Sequence, residues 1–304
     1  MASLRHLSQL GVFPAAWLPM FVGLVRRHAT VLITGGTGVG KTTLLKALLA
    51  QCDVNERIVT VEEVRELGEL GRGDHVSLVT REANVEGVGA ISLTDLVKAT
   101  LRMRPDRVVL GECRGAEIVD LLRAFNSGHH GGMTTVHADG VNRVPSRLIS
   151  LGLLAGVSPQ ALAMLAAGAF DAVVHLERVN GQRRITQIGE LRVAHGELAG
   201  TPLAVWNGCH PPRYAAEWGT SLNDGASFPG RVVVGDDAVC CSGGARRADM
   251  AGEQVREAVS AGLPRACGRF RSHKRTSICR LTSRGRCAGD YVRHRAIARW
   301  RHIG

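Results

Sequence analysis

Residues 30–51 read TVLITGGTGVGKTTLLKALLAQ, and this stretch decides the fold. Thr30–Thr34 is a short, β-branched and aliphatic run of the kind that forms a buried strand. Gly35–Thr42 satisfies G-x-x-x-x-G-K-[ST] in full. Leu44, Leu45, Leu48 and Leu49 then recur at helical spacing through Lys41–Gln51. Strand, glycine-rich loop and helix in that order form a phosphate-binding loop. Its glycines let the backbone turn sharply and bring N–H groups against phosphate oxygens. The start of the helix adds partial positive charge at the same point. Expected nucleotide contacts are therefore Gly35, Gly36, Thr37, Gly38, Val39, Gly40, Lys41, Thr42 and Thr43. Lys41 is expected to reach the β- and γ-phosphates of ATP, and Thr42 to offer its hydroxyl to Mg²⁺.

Outward from the loop, short apolar runs alternate with helical stretches. Strands are expected at Arg57–Glu62, His75–Arg81, Arg107–Gly111 and Gly132–His137. Helices are expected at Leu93–Met103, Ala116–Asn126, Val141–Leu151 and Pro159–Phe170. Two closing strands, Ala172–Val179 and Arg184–Val193, flank Asn180-Gly181, a strong hairpin signal. The alternation and the loop predict an α/β fold: a phosphate-loop domain with a mainly parallel sheet and helices on both faces. Its expected limits are residues 28–200, with 1–27 as a helical lead-in and 201–304 as an irregular tail.

The 304 residues are 45% apolar, enough for a sizeable core. The net charge of +11 is not spread evenly. Residues 1–204 carry 21 basic and 19 acidic side chains, whereas 205–304 carry 17 and 8, so a basic whole-chain balance says little about the nucleotide domain. Six of the eight cysteines also fall in the last hundred residues. There periodicity is lost, and Val255–Leu263 is the one helical candidate. A disordered basic extension and translation in a shifted frame from near residue 205 both fit that tail. Cys52 and Cys113 read as reduced thiols. Leu10–Val25 is apolar but shorter than the ~20 residues of a membrane helix. It holds Pro14 and Pro19, and reads as a buried helix rather than a targeting segment.

Hydrolysis also needs carboxylates that hold Mg²⁺ and orient water. Glu112 follows the strand RVVLG, and Glu62 and Glu63 follow RIVTV. Each stands at a strand end where such acids act, although solvated strand-end acids are common. His129 and His137 lie in GHHGGMTTVH, with Thr134 and Thr135 as further oxygen partners. Zinc lacks a ligand set, because no Cys-x-x-Cys occurs and His129, His130 and His137 have no fitting fourth ligand.

The blocks ITGGTGVGKTTLL, RIVTVEE-x-x-EL, R-x-x-N-V-E-G from Arg81, LRMRPDRVVLGE-x-RG and SGHHGGMTTVHAD resemble, in order, those of the type II and type IV secretion ATPases. The resemblance covers roughly residues 28–190, is nearest the tight-adherence pilus and conjugal-transfer members, and implies that the α/β domain is RecA-like. It implies that Glu62 and Glu63 form an acidic box, that Glu112 is the Walker B glutamate, and that His137 senses the γ-phosphate. It also implies that Glu112 and Thr42 hold Mg²⁺ through water. Arg102, Arg104 and Arg114 are implied to offset phosphate charge within or between subunits; structural ion pairs are the plainer role for Arg102 and Arg104. A homo-hexamer at the cytoplasmic face of the inner membrane, working on membrane-embedded platform proteins, is implied as well.

Departures are Glu63 for a usual Asp, His130 for a usual Asp, and Glu82-Ala83 for a usual Pro-Pro. The family's separate N-terminal domain has no counterpart in the roughly thirty residues before Gly35. An ATP-driven export or pilus motor is the leading expectation. A degenerate nucleotide-binding remnant is the alternative. A nucleic-acid-binding ATPase is disfavoured, since the tail has no regularly spaced aromatics for base stacking.

Overall fold

A computed structural model describes residues 3–71, 73–216 and 218. Its centre is one sheet with the order β3-β2-β4-β5-β1-β6-β7-β8-β9. Six strands run parallel: β1 (Val31–Gly35), β2 (Ile58–Glu62), β3 (His75–Val79), β4 (Arg107–Leu110), β5 (Met133–Val136) and β6 (Ala172–Val179). Then β7 (Gln182–Ala194), β8 (Glu197–Val205) and β9 (Arg213–Tyr214) extend the sheet in antiparallel fashion. Because the first six share a direction, their C-terminal ends lie along one edge, where connecting loops carry chemistry.

Strand alternation divides the core. Val31 and Ile33 of β1 face a layer built from α1 (Leu4–Gln9), α2 (Leu18–Arg26) and α3 (Lys41–Leu49). Leu32 faces the opposite layer of α4 (Leu93–Thr100), α5 (Glu117–Asn126), α6 (Val144–Leu154) and α7 (Pro159–Ala167). Val109 of β4 likewise joins the first layer, while Val108 and Leu110 join the second. The central strands are buried on both faces, hence their near-continuous aliphatic runs.

The segment Leu10–Val25 is not one helix. Pro14 precedes a 3₁₀ turn, Ala15–Trp17, and Pro19 occupies the first turn of α2, where a missing N–H costs nothing. Phe13, Trp17, Phe21 and Val25 are buried in the same core cluster as β1. The lead-in is further held by β7, whose Ile185 donates its N–H to Val12 (2.7 Å) and whose Arg184 donates to the Gly11 carbonyl (2.9 Å). A boundary at 27/28 therefore cuts through a packed core. The other expected boundary moves too. β8 runs to Val205, and Leu203, Ala204 and Trp206 are buried in the first layer, while Tyr214 accepts from Trp17 Nε1 (3.1 Å). Sequence beyond 200 thus belongs to the sheet through β9. The helix expected at Val255–Leu263 lies outside the described residues.

The β6–β7 and β7–β8 hairpins turn on left-handed pairs: Asn180-Gly181 at φ 51° and 79°, and His195-Gly196 at 53° and 82°. Positive φ at both central residues matches the right-handed twist of the flanking strands. Among the described residues no helix is long and apolar enough to cross a membrane. Cys52 and Cys113 are buried and in no disulfide, and burial pushes the Cys113 thiol well up.

Candidate nucleotide site

The loop after β1 is shaped by close approach. Gly35 has φ 146°, and a Cβ there would stand 2.2 Å from the Leu176 carbonyl oxygen of β6. Gly38 and Gly40 take φ of 71° and 100°. Gly40 begins α3 without any side-chain cap, which leaves the first amides of the helix free for an anion. Lys41, only 8% exposed, curls back to donate from Nζ to the carbonyls of Gly35 (3.0 Å) and Gly36 (2.9 Å). Its Nζ also lies 3.4 Å from His137 Nε2. Burial lowers the Lys41 pKa, and the Glu112 charge opposes that shift.

Facing Lys41 is a linked set of charges. Glu112 follows β4, and its Oε1 lies 2.6 Å from His137 Nε2 at the end of β5. Its Oε2 accepts from Arg114 Nη2 (2.7 Å), and Arg114 Nη1 donates to Glu63 (3.2 Å). Burial works against the ionised Glu112 carboxylate, but the Arg114 hydrogen bond and the charges of His137, Arg114 and Lys41 outweigh it and hold its pKa below the usual range. These groups meet because β5 lies between β4 and β1 in the sheet. A cavity of about 380 Å³ joins Thr37, Gly38, Lys41, Thr42, Thr43, Glu112 and His137. The Thr135 hydroxyl, at its wall, donates to the Gly111 carbonyl (2.9 Å).

The residues fit ATP and Mg²⁺ by donor chemistry. Uncapped helix amides and an ammonium suit phosphate, while Thr42, Glu63, Glu66 and Glu112 line one cleft with the hard oxygen donors Mg²⁺ prefers. Glu62 lines the same cleft. It is 3% exposed, and its Oε1 accepts the N–H groups of Glu66 (3.0 Å) and Leu67 (2.8 Å). That grip places Glu66, whose Oε2 accepts from the Thr42 hydroxyl (3.1 Å). Glu62 positions the turn, and Glu66 is the acid that touches the phosphate loop. Val39 is also set apart: it is buried at 6% and packs into the core cluster.

Within one chain, two of the expected site residues lie away from the phosphate cavity. Arg102 and Arg104 lie between α4 and β4, at the N-terminal end of that strand, whereas Glu112 follows its C-terminal end. Arg107 and Glu112 are five residue steps apart, roughly 16 Å at ~3.3 Å per residue along an extended chain. Neither arginine lines the phosphate cavity. His129 and His130 precede β5 and are parted from His137 by the length of that strand. Conversely, Arg183 of the β6–β7 hairpin lines the cavity, and Arg178 donates to the Gly38 carbonyl (3.4 Å). The Asn180-Gly181 signal located that hairpin in the sequence. Nothing local reveals that its arginines lean over the loop.

A mainly parallel sheet, a glycine-cradled loop at the end of β1 and an acid at the end of β4 define a phosphate-loop nucleotide-binding protein. The chain belongs to the type II/IV secretion system protein family, whose pattern matches residues 1–194. A Mycobacterium tuberculosis chain named for conjugal transfer is 43% identical over 223 residues, covering 73% of this chain and 61% of its own length. The type IV secretion system protein PtlH of Bordetella pertussis is 37% identical over 180 residues, 57% of this chain and 53% of PtlH. The chain thus spans less than two thirds of the length of these relatives. Among solved structures, the VirB11 ATPase of the Brucella suis type IV secretion system matches with a TM-score of 0.51 and 25% identity, over 62% of each chain.

Proposed function

We propose that this chain binds ATP with Mg²⁺ and hydrolyses it as a motor subunit of a secretion, pilus-assembly or conjugal-transfer system. The observation that carries this reading is the meeting of Lys41, Thr42, Glu112 and His137 around one cavity at the C-terminal edge of the sheet. ATP supplies the phosphoanhydride, and its Mg²⁺ would be held by Thr42, Glu112 and the neighbouring acids through water.

Each residue has a role suited to its surroundings. The Lys41 ammonium exchanges loop carbonyls for phosphate oxygens and offsets their charge. The ionised Glu112 carboxylate orients water, with Oε1 beside His137 and Oε2 fixed by Arg114. His137 touches both Lys41 and Glu112, so a change at the phosphates reaches β5 through it. Arg114 and Arg183 add positive charge where negative charge builds up.

Lys41→Ala is expected to lower ATP affinity about 100-fold or more, whereas Glu112→Gln keeps affinity and loses turnover by about 100-fold. Titration calorimetry and phosphate release measure the two effects. Equal turnover by wild type and Glu112→Gln would remove Glu112 from its role. The family reading extends to a homo-hexamer at the cytoplasmic face of the inner membrane, acting on membrane-embedded platform proteins. Light scattering with and without ATP–Mg²⁺ tests the ring; a monomer under both conditions refutes it.

A further inference from the structure

Two turns at the C-terminal edge carry the acids of the cleft: residues 62–67 after β2 and 111–115 after β4, on strands that pair directly. Glu62 holds the first turn through the N–H groups of Glu66 and Leu67. The second turn is held in the same manner. Glu117, the first residue of α5, turns its carboxylate back towards the strand. Its Oε1 accepts the N–H groups of Arg114 (2.7 Å) and Gly115 (2.8 Å). Glu117 is 5% exposed, and charge-assisted bonds of this kind are what offset the cost of burying a carboxylate. A Cβ on Gly115 would stand 2.9 Å from Glu117 Oε2, so the turn closes tightly on this side chain. Other amides of the turn are taken up by neighbouring strands: Gly111 donates to the Val61 carbonyl (2.9 Å) and Cys113 to that of Thr135 (2.8 Å).

Glu117 lines neither the phosphate cavity nor the acidic cleft, so any influence on the chemistry passes through its partners. Arg114 is the one that reaches the site. Its backbone is gripped by Glu117, while its guanidinium holds Glu112 Oε2 (2.7 Å) and Glu63 (3.2 Å). The Arg114 side chain is 55% exposed, so a fixed backbone is what limits the positions its guanidinium can take. We infer that Glu117 is a positioning residue for hydrolysis: by gripping two amides of the turn it aims Arg114, and through Arg114 the Glu112 carboxylate. This rests on the ATP reading above and deepens it. The acids after β2 and β4 then share one device, a buried carboxylate that fixes the turn beside it.

The test measures turnover by phosphate release and ATP–Mg²⁺ affinity by titration calorimetry, on the full chain. Glu117→Ala is expected to lower kcat about 30-fold and leave ATP affinity within about two-fold. Glu117→Gln keeps one acceptor oxygen for the two amides and should hold kcat within about five-fold of wild type. Because both side chains act through Glu112, the double variant Arg114→Ala/Glu117→Ala should be no slower than the slower single variant. Should Glu117→Ala lose its cooperative melting transition, Glu117→Asp takes its place. Its carboxylate is one methylene short of the two amides, and kcat is expected to fall about ten-fold with affinity kept. Wild-type turnover in Glu117→Ala or Glu117→Asp, or a joint fall of kcat and affinity, would overturn the positioning role alone. Equal rates for Glu117→Ala and Glu117→Gln, or losses that multiply in the double variant, would do the same. A wild-type chain that binds no ATP would bring down the ATP reading itself.

Discussion

Lys41 is held between burial, which favours its neutral form, and the Glu112 carboxylate, which favours the ammonium. Burial wins, so in the free protein this lysine gives up its proton at lower pH than an exposed one. Phosphate binding needs the ammonium. ATP affinity should therefore begin to fall, as pH rises, before an ordinary lysine would titrate. Titrations from neutral to alkaline pH check the sign, and a flat profile up to the ordinary lysine range contradicts it. Glu112 behaves oppositely. Its folded pKa is depressed, so any stability it contributes is present above its unfolded pKa and lost as pH falls through the folded one. Arg114→Ala removes the hydrogen bond that most directly lowers it, and should move the acid limb of turnover to higher pH. Both residues were legible from spacing alone, because G-x-x-x-x-G-K-[ST] and an acid after an apolar strand are local patterns. Glu66 was visible in the block but carried no mark of its role, which comes from the reach of its carboxylate to Thr42.

At the scale of elements, Arg107 joins pieces that sequence separates widely. It is 1% exposed, pairs through two nitrogens with Glu56, and donates to the Val25 carbonyl of α2 (2.8 Å) and the Gly131 carbonyl before β5 (3.1 Å). Burial opposes ionised Glu56, but the hydrogen bond and charge of Arg107 lower its pKa. Arg107→Met strands that partly buried carboxylate and two carbonyls. The expected loss is about 3–5 kcal/mol in urea unfolding, with partial recovery in the double variant Arg107→Met/Glu56→Leu. A loss under about 1 kcal/mol would show that the pair is incidental. Within one chain, this ion pair is what Arg107 of the arginine-rich LRMRPDR segment builds at the start of β4. Strand existence was readable from β-branched runs, yet the C-terminal edge where they deliver side chains depends on pairing that no run encodes.

For the whole molecule, the start and end of the described chain close on each other. Trp17 meets Tyr214 by hydrogen bond and Trp206 by an edge contact, with ring centroids 6.2 Å apart, and Arg184 of β7 lies over Trp206. Stopping the chain at residue 200 would remove most of β8 along with Leu203, Ala204, Trp206 and Tyr214. Leu203 and Trp206 are large buried side chains worth roughly 1.5–3 kcal/mol each, which is a large part of a typical domain's net stability. The truncated chain is expected to lose its cooperative melting transition in calorimetry, and a transition like that of the full chain would place the fold's limit at 200 after all. The loss of periodicity after residue 203 hid this, because β9 is two residues long and its aromatics act one at a time.

By itself the sequence determined the phosphate loop, the order of strands and helices, the Asn180-Gly181 turn and the family blocks. All of these are short-range patterns, governed by backbone sterics and side-chain periodicity. Only the tertiary structure decided that β5 separates β4 from β1 and brings Glu112 and His137 to Lys41. It alone placed Arg102 and Arg104 at the far end of a strand, made Glu62 a brace for Glu66, and set Arg183 beside the loop. Those outcomes follow from which apolar faces bury each other across long sequence separations. That choice is made by the packed core as a whole, and no window of the sequence contains it.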